Sequence, residues 1–156
     1  MSKSLIKHMA RIGAALALVG GGLIGLTPSA AQAAGSCTAG PYRTEPIGVV
    51  VPTRWCPTWH GTTVYYWPDV ANSATVPSTT GQAGYLYAGT NWVVCQFYGA
   101  PNPRFGTSYH NHYWLLTQGD VGYNSDGWGY IPATVVSYGG NEQPIPGVPQ
   151  CNGGWL

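Results

Sequence analysis

"HYWLLTQGDVGYNSDGWGYIPATVVS", residues 112–137, decides how the rest of this 156-residue chain is read. It opens on an apolar run, His112–Gln118, in which a two-residue alternation puts Trp114 and Leu116 on one face and Tyr113 and Leu115 on the other. It closes on a second run, Gly127–Ile131. The connection "GDVGYNSDG" (119–127) is built of residues that favour turns, and its Asp126-Gly127 step can take the positive φ that a hairpin needs. Two short β-rich runs joined this way read as antiparallel strands. A further strand is expected at Val135–Tyr138.

Working outward, the same alternation of Val, Tyr, Trp and Thr runs with Gly, Pro, Asn and Asp turns begins at Thr63. It predicts strands at Thr63–Trp67, Ala83–Tyr87 and Asn91–Tyr98, and no segment beyond residue 33 has sustained helical periodicity. The fold class is therefore all-β. "PDVANSATVPSTTG" (68–81) and "GAPNPRFGTS" (99–108) are long loops, and "YAGTN" (87–91) is a tight turn. Residues 34–61 are expected to form an N-terminal extension containing two cysteines. Residues 139–156, "GGNEQPIPGVPQCNGGWL", are expected to run as an extended Pro/Gly tail.

Residues 1–33 carry Lys3, Lys7 and Arg11 ahead of the apolar run Ile12–Leu26 and end in Ala31-Gln32-Ala33, the pattern of a secretory signal peptide cleaved near Ala33. The remainder suits one domain, taken to be a monomer. Its cations are Arg43, Arg54 and Arg104 against Glu45, Asp69, Asp120, Asp126 and Glu142. So few cations make nucleic acid and anionic membranes poor partners. No apolar run in this part approaches the roughly 20 residues that span a bilayer.

All four cysteines, Cys37, Cys56, Cys95 and Cys151, lie in this exported part and read as two disulfides. Three connectivities are open, and the sequence does not choose among them. Cys37–Cys56 with Cys95–Cys151 is favoured, because the first would tie the N-terminal extension to itself and the second would fasten the tail.

The chemistry-bearing residues are sparse. His110 and His112 at i and i+2 would share a strand face and could hold zinc with His60 or Asp120, but a loop–strand junction explains them as well. No Gly-x-Ser-x-Gly elbow is present and the cysteines are paired, so no catalytic residue, metal or cofactor is assigned. Asp120 and Asp126 fall in the hairpin connection, where Asp serves the turn. With Asn124 they would offer oxygen ligands, though not at the spacing of an EF-hand. The aromatics are the strongest signal. Seven tryptophans and eleven tyrosines exceed what so small a core encloses, and both side chains pair an apolar face with a polar tip.

Gly129-Tyr130-Ile131-Pro132 followed by Ala-Thr-Val-Val resembles the end of an SH3 fold, where such a strand runs into one 3₁₀ turn. Tyr113-Trp114-Leu115 resembles the aromatic pair that opens the fold's third strand, and "YAGTNWVVCQ" (87–96) looks like a turn and second strand of bacterial SH3-like domains. A signal peptide followed by one domain ending in "PIPGVPQC" is similar to small secreted proteins of actinomycetes. The resemblance covers residues 62–138 and implies a five-stranded SH3-like barrel. It also implies a groove lined by Tyr113 and Pro132, with Tyr65 or Tyr66 at the far wall and Trp67, Tyr109, His112 and Tyr130 as further contacts. Val135 stands where eukaryotic SH3 domains carry a tyrosine, which removes one wall of a polyproline groove. Bacterial domains of this kind bind peptidoglycan or its peptides. The expectation is thus a secreted, non-enzymatic module that binds cell-wall peptide or glycan through surface aromatics. The alternative is a secreted inhibitor or interaction domain that presents the loop around Arg104 to an extracellular hydrolase.

Overall fold

A computed structural model describes residues 35–71, 81–106 and 108–152. The expected signal peptide lies outside the described residues, as do the end of the tail and much of the 68–81 loop.

The chain is all-β. In order it forms β1 (Thr38–Thr44), β2 (Val50–Thr58), β3 (Thr62–Tyr65), a short helix α1 (Trp67–Ala71), β4 (Gln82–Leu86), β5 (Gly89–Val93), β6 (Gln96–Tyr98), β7 (Tyr113–Gln118), β8 (Val121–Gly122) and β9 (Trp128–Pro132). Two antiparallel sheets result, one ordered β1-β2-β5 and the other β6-β7-β9-β3-β4-β8. The expected closed five-stranded barrel does not form, for two reasons.

The first reason is that the run expected as one strand, Asn91–Tyr98, is broken at Val94 and Cys95. β5 pairs with β2, Arg54 opposite Val93, while β6 pairs with β7, Gln96 opposite Leu115. At the break, Val94 N–H donates to Leu116 (2.8 Å) and Leu116 N–H donates to Cys95 (2.9 Å), so the chain changes sheets without orphaning its backbone. The second reason is that the closing strand expected at Val135–Tyr138 is reduced to a single bridge, Val136 to Thr58, after a 3₁₀ turn at Ala133–Val135.

The helix α1 was not expected, since the strand was read as running on to Trp67. The strand ends at Tyr65 instead. Pro68 then occupies the first helical turn, where its missing N–H costs nothing. Ala100 N–H donates to the Val70 carbonyl (2.7 Å), which ties this turn to the 99–106 loop.

The strand β7 has the alternation read from the sequence, with both faces buried. Leu115 packs with Val64, Ala83, Leu86, Ile131 and Val135, and Tyr113 lies against that cluster. Trp114 and Leu116 belong to a second cluster with Tyr65, Val70, Trp128 and Tyr130. Burying each such side chain contributes about 2–3 kcal/mol, so this strand anchors both halves of the core.

The flanks are more integrated than expected. The N-terminal segment supplies β1 and β2 to a sheet that includes β5, and Cys37 bonds Cys56 at its base with a Cα separation of 4.7 Å. The tail is fastened by Cys95–Cys151 and also contributes to the core, with Ile145 and Val148 buried. Gln96 is the reason. Its Nε2 donates to Ile145 (3.0 Å) and Val148 (2.7 Å), and its Oε1 accepts from Ile145 N–H (2.7 Å), replacing water for a tail that forms only one bridge to a strand. The two disulfides close loops that span sequence separations of 19 and 56 and are compatible with an oxidising, extracellular compartment. Among the described residues no helix is long and apolar enough to cross a membrane.

Candidate functional site

The rim of an exposed aromatic cluster forms where β6 meets the start of β7. The β6–β7 register sets Tyr98 opposite Tyr113, and their rings meet edge to face at 5.5 Å. The Tyr98 ring also stacks on His112 at 5.1 Å with planes 16° apart, and Tyr98 is 60% exposed. One ring is therefore backed by an imidazole and open to solvent on its outer side.

His112 is held by the tail. Its Nδ1 lies 2.6 Å from Glu142 Oε2, and His110 Nε2 lies 3.7 Å from Glu142 Oε1, so one carboxylate sits between two imidazoles. The two histidines precede β7 and do not share a strand face; Glu142 brings them together. Glu142 takes φ 54°, the left-handed region that costs a non-glycine residue about 1 kcal/mol or more. Its backbone N–H donates to the His110 carbonyl at 3.3 Å.

Asn111 organises the junction. It is 1% exposed, its Oδ1 accepts from the backbone N–H of His112 (2.8 Å) and Tyr113 (2.9 Å), and its Nδ2 donates to the carbonyls of Gly140 (3.1 Å) and Gln143 (2.9 Å). The same Nδ2 reaches the Tyr109 hydroxyl at 3.2 Å. One buried amide thus fixes the His112–Tyr113 backbone and the tail that carries Glu142.

Of the residues expected to line a groove, His112, Tyr113, Tyr109, Tyr66 and Trp67 are half-buried, whereas Tyr65, Tyr130 and Pro132 are buried. Pro132, expected to line a groove with Tyr113, is thus among the buried residues. The 3₁₀ turn that follows Pro132 is roofed over: Thr134 N–H donates to Asn102 Oδ1 (3.2 Å), Thr134 Oγ1 donates to Pro103 (2.9 Å), and Trp59 Nε1 donates to the Thr134 carbonyl (3.0 Å). Trp67 packs inward on Phe97 (4.5 Å) and Tyr130 (5.4 Å).

Electrostatics separate these inner phenols from the rim. Burial, and secondarily the Glu45 carboxyl, holds the Tyr130 phenol well above its ordinary range. Burial raises Tyr65 as well, against a hydrogen bond from Thr63. Both stay neutral and serve the core. Glu45 itself is 5% exposed, one of its carboxyl oxygens has no partner, and burial raises its pKa.

Asp120 and Asp126 serve turns. Asp120 accepts from the Tyr87 backbone N–H at 2.7 Å, and Asp126 takes φ 50° in the connection between β8 and β9. Among the described residues no group of three or more His, Cys, Asp or Glu is placed to hold a metal, and no cysteine is free. Sequence reasoning missed Tyr98, Asn111 and Glu142. Tyr98 could have been found only from the β6–β7 register. Glu142 sits in a Pro/Gly-rich segment that carries no periodic signal.

The rim can stack a flat or puckered apolar face on Tyr98 and offer polar atoms from His110, His112 and Glu142 beside it. Comparison with protein-family models, with curated proteins and with solved structures finds no match.

Proposed function

We propose that this chain is a secreted, non-enzymatic binding module of the bacterial SH3-like kind that takes cell-wall peptide or glycan on the Tyr98–His112–Tyr113 rim. The observation that carries the reading is the exposed Tyr98 ring, backed by an imidazole that Glu142 locks in place. A rigid aromatic held this way loses little side-chain entropy on binding and presents both an apolar face and polar neighbours. The two disulfides suit an extracellular site of action. The SH3-like character rests on the sequence resemblance, and the open, two-sheet arrangement is a departure that any such domain would have to accommodate.

The test is co-sedimentation of the oxidised mature protein with purified actinomycete peptidoglycan. Retention should fall about tenfold for Tyr98→Ala, the scale of one lost aromatic anchor. It should fall less for Glu142→Gln, which keeps the shape of the side chain. No retention of the parent protein at any pH or salt concentration would overturn the reading.

A further inference from the structure

A second group of rings lies at the corner between β2 and β3. Trp59 is 43% exposed, His60 is exposed, and both meet Phe105 of the 99–106 loop. Trp59 and His60 are 5.3 Å apart at 68°, Trp59 and Phe105 are 6.4 Å apart at 89°, and His60 and Phe105 are 4.7 Å apart at 38°.

The corner is rigid. Trp59 is pinned twice, by its backbone N–H to Val135 (3.0 Å) and by its indole N–H to Thr134 (3.0 Å). The facing loop is pinned to the same turn through Asn102 and Pro103. Because the indole N–H is already used, the solvent-facing part of Trp59 is carbon and π-surface, and what it can recognise is an apolar face. Trp59 meets both other rings edge-on while His60 lies tilted on Phe105, so the Trp59 face forms an open corner and not one side of a slot between parallel faces. A puckered ring with axial C–H bonds on one side and polar substituents at its edge fits a single face beside a wall.

The loop that carries Phe105 also carries a cation. Arg104 is exposed and immediately precedes Phe105. His60 Nδ1 contacts the Gly61 carbonyl, which leaves Nε2 for a ligand. The carboxylates whose side chains are described are committed elsewhere: Glu45 is buried in the β1–β2 turn, Asp120 and Asp126 lie in the connection from β7 to β9, and Glu142 lies on His112.

We infer that Trp59, His60, Phe105 and Arg104 form a second, separate subsite for one sugar ring bearing an anionic group, with the ring on Trp59 and the carboxylate or phosphate towards Arg104. This subsite does not depend on what the Tyr98 rim binds.

The Trp59 indole N–H resonance, assigned by its loss in Trp59→Phe, reads the site directly in the oxidised protein. Glucuronic acid and glucose 6-phosphate should each shift it, with affinity about threefold to fivefold above that of glucose, the scale of one solvent-exposed ion pair. The carboxylate and phosphate arms say which anion is preferred. Arg104→Met should bring both anionic sugars down to the level of glucose. Because Arg104 is exposed, this variant keeps the fold and decides the question even if Trp59→Ala unfolds the corner. Absence of any shift, an equal response to inorganic phosphate alone, a larger response to N-acetylproline than to any sugar, or unchanged selectivity in Arg104→Met would each overturn the inference.

Discussion

The Tyr98 rim and the Trp59 corner use the same material in different ways. Each packs an imidazole against an aromatic ring, His112 on Tyr98 and His60 on Phe105. At the rim the imidazole is held by a carboxylate 30 residues away in the tail; at the corner it contacts the carbonyl of its own neighbour, and the scaffold is pinned by the 3₁₀ turn. The rim's imidazole is therefore held directly by the tail, and the corner's is not. The corner's scaffold is itself long-range, since Trp59 bonds Thr134, 75 residues on, so what separates the two sites is which segment holds each imidazole: the tail at the rim, the neighbouring residue at the corner.

Cutting the tail loose should split the two sites most sharply. Replacing both Cys95 and Cys151, by Cys95→Ala with Cys151→Ser, removes the closure of the larger loop. Its sequence separation of 56 corresponds to about 4 kcal/mol of chain entropy. The expected outcome is a large fall in the denaturant midpoint and loss of the His112 environment by NMR, while the Trp59 indole line persists under native conditions. If both lines moved together, the contrast between a tail-held imidazole and one held by its own neighbour would fail.

Asn111→Ala is the intermediate case. It leaves two backbone N–H groups and two carbonyls at the junction without their partner and should cost about 2–3 kcal/mol, read by chemical denaturation. Wall retention should fall with it, since His112 and Tyr113 lose their fixed backbone. A variant of unchanged stability would mean that water replaces the amide.

Glu45→Gln should have the smallest effect, and that effect should depend on pH. Burial raises the Glu45 pKa above its ordinary 4.5, so between that value and the folded one the native state keeps a proton that the unfolded chain has released. The stability due to this proton is full below 4.5 and is lost as pH rises through the folded value. Glu45→Gln should flatten this decline and stabilise the protein at neutral pH relative to the parent, seen in midpoints taken at about pH 4 and pH 8. Neither aromatic line should move. A steeper decline in the variant would place the titrating group elsewhere.

Much of the sheet was legible because it is local. The strands β3, β4, β7 and β9 follow from period-2 runs between turn residues, and the division of β7 into two faces follows from alternation alone, though not the burial of both. The favoured cysteine pairing is the one the structure contains. What was not legible depends on partners far along the chain. Nothing near Val94 and Cys95 announces a change of sheet, which is decided by bonds to Leu116. Ile145 and Val148 sit in a sequence that reads as tail until Gln96, 49 and 52 residues earlier, takes up its backbone groups. The candidate site was half legible: His112 and Tyr113 were singled out, while Tyr98 and Glu142 needed a register and a tail path. Tyr65, Tyr130 and Pro132 were placed on the surface by resemblance, and the loop through Asn102 and Pro103 buries the turn beside them.

The two disulfides have a mechanical consequence. Cys37 is bonded to Cys56 and Cys95 to Cys151, so a pull applied near the two ends bypasses the first hairpin and the whole of β6 to the tail. Between Cys37 and Cys151, only the stretch from Cys56 to Cys95 can be drawn out while the bonds hold. The Tyr98 rim lies inside a covalent loop that bears no tension.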